Sequence, residues 1–331
     1  MEGLIGVDIG GTKTAVVLGR IAGNGGLDVL DRAVFPTARE GWRPVVAQIV
    51  ESAREMLARH SGDRAKAFAV GVSCGGPLDS RAGVVLSPPN LPGWDGVPIT
   101  EEMERGLGAK AFLQNDANAC ALAEWRFGAG RGCRNMVFLT FGTGMGAGLI
   151  VDGRLYEGTN DLAGEIGHVR LAEDGPLGYG KRGSFESLCS GSGIAKLARA
   201  EAARLFAGGE TPAFCPDPAA VASITAQAVG DAAFAGDPVS RAILATSGRW
   251  LGRGLSILID VLNPERLVIG SIYGRCRQFL QPAMEEEIGQ EALAPAARVC
   301  SVVAAGLGER IGDYACLSVA ANGIASSRRS E

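Results

Sequence analysis

Short apolar runs, each closed by glycine, recur along the chain. Leu4-Ile5-Gly6-Val7-Asp8-Ile9 is apolar except for one acid, Asp8. Gly10-Gly11-Thr12-Lys13-Thr14 then turns the chain, and Ala15-Val16-Val17-Leu18 returns. The pattern predicts strand, glycine turn, strand. The same unit recurs near the middle of the sequence. Val137-Phe138-Leu139-Thr140-Phe141 is followed by Gly142-Thr143-Gly144-Met145-Gly146-Ala147-Gly148, then by Leu149-Ile150-Val151 and the turn Asp152-Gly153. Two such units predict a duplicated architecture with two facing loops. Glycine at alternate positions lets backbone amides approach a ligand, and phosphate oxygens are the usual guests.

Helical spacing appears elsewhere. Val45, Val46, Ile49, Val50, Ala53, Met56 and Leu57 form one apolar stripe over residues 44–59. Residues 67–72 and 111–114 read as strands, the second ending at Asn115-Asp116 before a helix over 117–127. Residues 87–94, rich in proline, read as a rigid loop that suits a pocket wall holding Asn90 and Trp94. A helix is predicted over 191–206, then a Pro/Gly-rich surface segment over 207–219. Asp237-Pro238 reads as N-cap and first position of a long helix ending near Asn263-Pro264. Strands follow at 266–269, closed by Gly270-Ser271, and at 299–304. A last helix starts at 311.

Composition changes this picture little. The length of 331 residues suggests about two domains, and 47% hydrophobic residues can fill their cores. No apolar run reaches membrane-spanning length, and the first strand starts without a signal-peptide pattern. A net charge of −4 gives no general attraction to nucleic acid. Eight cysteines, none in a C-x-x-C pair, read as reduced thiols, so a cytoplasmic protein is expected. With two histidines, His60 and His168, a rich metal site is not expected.

The candidate chemistry lies at the turns. Asp116 ends a strand at or near a helix start, where it serves either as an N-cap or as a general base. Glu165 and His168 flank Ile166-Gly167, placing a carboxylate beside an imidazole. Gly142-x-Gly144-x-x-Ala147 loosely fits a dinucleotide fingerprint, but that motif must open a helix, and a strand follows here. Gly175 to Lys181 imitates a phosphate-binding P-loop, yet position 182 is Arg and no buried strand precedes it. An anion cradle beside a hydroxyl-binding pair suggests phosphoryl transfer to a polyol.

Several motifs, in order and spanning nearly the whole chain, resemble the ROK family (repressor, open reading frame, kinase), whose kinases phosphorylate sugars with ATP. They are Asp8-Ile9-Gly10-Gly11-Thr12-Lys13, Pro89-Asn90-Leu91, Asn115-Asp116-Ala117-Asn118-Ala119, Gly142-Thr143-Gly144-Met145-Gly146, Ala163-Gly164-Glu165-Ile166-Gly167-His168 and Leu262-Asn263-Pro264-Glu265. The resemblance implies an actin-like, ribonuclease H-like pair of α/β domains with a central cleft. The expected division is 1–115, completed by the C-terminal helix 308–331, and a larger domain over 116–307. The resemblance assigns Asp116 as base, with Gly76, Asn90, Asn115, Glu165, His168 and Glu186 as sugar ligands. ATP is expected on Asp8, Gly10, Gly11, Thr12, Lys13, Thr14, Gly142, Thr143, Gly144, Gly146 and Gly270, with magnesium reached from Asp8 through water. A homodimer would fit.

One departure is informative. Many members carry C-x-C-G-x-x-G-C-x-E after the G-E-x-G-H segment, with the histidine and three cysteines on zinc. Here those cysteine positions hold Leu177, Tyr179 and Ser184. Leucine cannot ligate, so the zinc is expected to be absent, with Leu177 and Tyr179 burying apolar surface in its place. Ser271 also stands where a second glycine is common. No helix-turn-helix precedes Asp8, which speaks against a DNA-binding member. The expected activity is glucokinase-like phosphorylation of a hexose, glucose first, with an N-acetylated hexosamine or fructose as the alternative substrate. The alternative is a non-catalytic sugar sensor, against which Asp116 argues, since sensing needs no base.

Overall fold

The computed structural model describes residues 3–61 and 67–330. β1 (Gly3–Ile9), β2 (Lys13–Ile21) and β3 (Leu27–Pro36) form an antiparallel meander. α1 (Trp42–Ser61) leads to β4 (Ala67–Cys74), parallel to β1. A small sheet follows, of β5 (Leu78–Asp79), β6 (Val84–Leu86) and β7 (Asp95–Val97), then α2 (Ile99–Leu107). β8 (Lys110–Asn115) runs parallel to β4 and completes the order β3-β2-β1-β4-β8. α3 spans Asp116–Phe127.

The second half repeats this plan. β9 (Met136–Phe141), β10 (Met145–Val151) and β11 (Arg154–Tyr156) come first. The hairpin β12 (Leu177–Gly178) and β13 (Lys181–Arg182) follows, then α4 (Phe185–Cys189), α5 (Gly191–Ala207), α6 (Ala226–Phe234) and α7 (Pro238–Leu262). β14 (Arg266–Ile269), α8 (Ile272–Glu291), α9 (Ala294–Val299), β15 (Ser301–Ala304) and α10 (Ile311–Ser330) complete the chain. The second sheet has the order β11-β10-β9-β14-β15, with β14 parallel to both β9 and β15. Position for position this is the order of the first sheet.

Two compact units result. One contains the chain up to Gly132, Gly148–Ala163 and the chain from Gly306; the other contains Cys133–Ala147 and Gly164–Ala305. The boundary therefore falls at 132/133 rather than 115/116, because α3 packs on α10 and stays with the first sheet. In that unit Ile5, Val7 and Ile9 join Val45, Ile49 and Met56 of α1 in one core. Leu4, Val17 and Ala69 pack on the opposite side with Cys316, Leu317 and Ala320 of α10. This alternation is the two-residue period of a strand buried on both faces. Gly71 is required there, since a Cβ would lie 2.2 Å from the Cys316 carbonyl oxygen.

α7 has the expected ends. Asp237 caps it by accepting from the Ser240 amide, and Asn263 closes it at φ 44°. α8 was not legible in the apolar pattern: it carries Pro282 and is held by packing on α7. Residues 294–299 form α9, so the last strand starts later than expected. Trp94 is 1% exposed and belongs to the core rather than to a pocket wall. No described helix is long and apolar enough to cross a membrane.

Candidate active site

In the first unit, candidate residues gather at the carboxyl ends of three parallel strands. Asp8 of β1 pairs in register with Ser73 of β4, and Ser73 with Gln114 of β8. Ligands bind in α/β sheets at such strand ends. Asn115 caps α3 by accepting from the Ala117 amide at 2.9 Å, and Asp116 Oδ1 accepts from the same amide at 2.8 Å. The cap and the candidate base are thus adjacent residues. Gln114 fixes the strand end by accepting from the Asn115 amide and from Asn118 Nδ2. A Cβ on Gly76 would come 3.5 Å from Asn115 Nδ2, and one on Gly11 would come 2.5 Å from the Asn90 carbonyl oxygen. The structure therefore brings Asn90, Gly11, Gly76, Asn115, Asp116 and Asp8 into one neighbourhood.

Asp8 is raised to about 6, first by burial and then by the charges of Asp116 and Asp313; Ser73 and Lys13 oppose the shift. Asp313, at the start of α10, was missed by sequence reasoning, because only the fold brings it to β1. Neighbouring carboxylates disfavour one another's charge, but among the described residues no group of three or more His, Cys, Asp or Glu side chains is placed to hold a metal ion. Thr14 is fully buried. Its hydroxyl bonds Thr37, which donates to the Gly10 carbonyl at 2.7 Å. It supports the first loop from behind and does not present its hydroxyl to a ligand.

In the second unit the glycine turn is shorter than its sequence suggests. β10 already begins at Met145. The Gly146 amide donates to Thr140 Oγ1 at 2.8 Å, and the Met145 amide donates to Glu186 Oε2 at 2.9 Å. Those two amides are committed, which leaves the tip to Thr143 and Gly144. The carbonyls of Gly142 and Thr143 accept from the Gly191 and Ser192 amides at the start of α5. A cavity of about 550 Å³ adjoins this turn, lined by Thr143, Thr225, Gln227, Asp231, Ser271 and Arg275 among others. Gly270 donates to the Leu139 carbonyl and ends β14 behind the cavity. Ser271 follows at φ 52° and ψ −114°, a conformation normally reserved for glycine.

Glu165 precedes a single helical turn, Ile166–His168, whose last residue is His168. Gly164 sits at φ +91°, where a Cβ would lie 2.0 Å from the Ala147 carbonyl oxygen, so glycine is obligatory there. His168 Nε2 lies 4.0 Å from Glu165 Oε2. The Tyr179 ring stacks on His168 with centroids 3.6 Å apart, and its hydroxyl donates to Glu186 Oε2 at 2.8 Å. Of the three aligned cysteine positions, Tyr179 thus touches two candidate sugar ligands. Ser184 is buried and caps α4. Leu177 is 62% and Tyr179 51% exposed, so neither buries apolar surface in the way expected; the Leu177 side chain lies towards solvent while its carbonyl accepts from Lys196 Nζ. The P-loop imitation at Gly175 to Lys181 is this hairpin.

Two sheets of one order, each opening with strand, glycine turn and strand, define a nucleotide-handling protein of the actin-like, ribonuclease H-like fold. The chain belongs to the ROK family, whose match covers residues 4–318. It is 32% identical over 318 residues to a glucokinase of Thermotoga maritima, covering 96% of each chain. A ROK family glucokinase of Streptomyces griseus, solved with glucose and AMPPNP, superposes with a TM-score of 0.71 at 28% identity, over 97% of this chain and all of that one. A ROK family transcriptional regulator superposes at 0.81 with 23% identity, over 96% of this chain and 77% of that one, a likeness of fold alone.

Proposed function

We propose that this protein is an ATP-dependent hexose kinase of the glucokinase type. The observation that carries the reading is Asp116, an exposed carboxylate at a strand end that lies close enough to Asp8 to perturb it. Full-length similarity to a glucokinase supports the same conclusion.

A sugar hydroxyl is a weak nucleophile, and phosphoryl transfer depends mainly on positioning and charge stabilisation. Asp116 accepts the hydroxyl proton as the new bond forms. This reading assigns sugar-binding roles to Asn90 and Asn115 and to Glu165, His168 and Glu186. Thr143 and Gly144 supply phosphate-binding amides, as do Gly11 and Thr12 beside Lys13. The 550 Å³ cavity takes the base and ribose of ATP. Asp8 would hold a magnesium ion through water, and the ion would supply neutralising charge at the phosphates. A coupled ADP-release assay over glucose, fructose, mannose and N-acetylated hexosamines tests the reading. Glucose-dependent ADP release is expected. Sugar binding without ADP release would instead establish a sensor.

A further inference from the structure

The sugar-side residues of the second unit are exposed, yet they are held in one arrangement by a residue with no assigned role. The side chains of His168 and Glu165 are 44% and 52% exposed, and the contact between them is long, at 4.0 Å. Left alone, such side chains sample several rotamers and lose that freedom when a ligand orders them.

We propose that Tyr179 is a positioning residue that presets His168 and Glu186 for the sugar; the inference rests on the kinase reading above. Three observations carry it. The phenol lies face to face with the imidazole, at 3.6 Å between centroids and 27° between planes. Its hydroxyl donates to Glu186 Oε2, the same oxygen that accepts from the Met145 amide. One ring therefore orients the imidazole by contact and the carboxylate by a hydrogen bond. Burial and the Glu186 carboxylate push the phenol's pKa up, so the hydroxyl keeps its proton and remains a donor.

The third observation is the backbone beneath the ring. Tyr179 and Gly180 have φ of 52° and 71° and join β12 to β13 through a two-residue turn. Such turns prefer Asn-Gly or Asp-Gly, and a bulky residue at positive φ is an outlier. The surroundings hold the hairpin in place. Lys196 Nζ donates to the Leu177 carbonyl, and Gly178 lies so close to Ser184 and Ser187 of the α4 turn that a Cβ would meet both at 2.9 Å. The hairpin is thus seated on the helix that carries Glu186, and its tip aims the phenol at both ligands.

The test uses Tyr179→Phe and Tyr179→Ala in the full chain, with two readouts. Phe keeps the stack and loses the hydrogen bond; Ala loses both. The KM for glucose is expected to rise roughly tenfold in Phe and roughly 100-fold in Ala, with the KM for ATP changed by less than about twofold and the melting temperature unmoved. The second readout needs no activity. The chain has only two histidines, so 13C-labelled imidazole gives two resonance sets, assigned with His60→Gln. The His168 ring protons are expected to be shifted upfield by the stacked phenol in wild type and Phe, and to return to the free-imidazole position in Ala. A glucose KM unchanged in both variants, or a His168 resonance identical in wild type and Ala, would overturn the proposal. Failure of the kinase reading looks different: wild type would phosphorylate no hexose, while the ring-current shift would persist and glucose binding would still be readable by calorimetry.

Discussion

Glu186 Oε2 accepts a hydrogen bond from the Met145 amide at 2.9 Å. A candidate sugar ligand on α4 therefore also holds the end of the glycine turn proposed to bind phosphate. A Cβ on Gly144 would come 2.8 Å from that same oxygen, so turn and carboxylate fit closely.

This contact predicts a shared effect. Glu186→Ala removes a charged acceptor from the Met145 amide as well as a sugar contact. The KM for glucose and the KM for ATP are both expected to rise, each by roughly tenfold. Steady-state kinetics with both substrates varied checks this, and a rise confined to glucose would show that the Met145 contact does not matter to the turn.

Asp116→Asn keeps the atoms that accept from Ala117 but not an effective base. Turnover is expected to fall by about 10²–10⁴-fold with glucose binding largely retained. Near-normal turnover, measured alongside calorimetric glucose binding, would remove Asp116 from the chemistry.

Asp8 predicts a pH-dependent stability. Its pKa in the fold is about 6, above the ordinary value of 3.8, so the folded state holds its proton more tightly than the unfolded chain. Stability is therefore greatest with respect to this group below pH 3.8 and is lost as pH rises towards 6. Asp8→Asn, compared with wild type in metal-free buffer, is expected to gain little at pH 4 and about 3 kcal/mol above pH 6. Urea denaturation across that range measures it; a gain independent of pH would contradict the buried charge.

Ser271 carries a glycine-like backbone at φ 52°. Ser271→Gly is expected to relieve strain and stabilise the fold by about 1 kcal/mol, after allowing for glycine's greater freedom in the unfolded chain. A lower denaturation midpoint would show that the serine side chain contributes more than its strain costs.

Zinc is expected to play no part. Leu177 and Tyr179 offer no ligand, and Ser184 spends its hydroxyl as a helix cap. Untagged protein should contain far less than one zinc per chain, and activity lost to EDTA should return fully with magnesium alone. Stoichiometric zinc whose removal abolishes activity despite added magnesium would overturn this.

Features with local signals were legible in the residue order. Alternating glycine after a β-rich run marked both strand–turn–strand units, because few other residues permit so tight a turn. Asp237, Pro238 and Asn263 marked the ends of α7 through capping chemistry that acts within four residues. The motif order carried the family resemblance. Features that depend on distant partners emerge only in the folded chain. Asp313 reaches Asp8 only because α10 folds back onto β1 and β4. α8 forms despite Pro282 because α7 buries it. Gly146 looks available in sequence, yet its amide is taken by Thr140 on the neighbouring strand. Tyr179 reads as an absent cysteine until the hairpin places its ring on His168. Each depends on bringing together groups far apart in the chain, or on which hydrogen bonds are already spent, and neither is written in local periodicity.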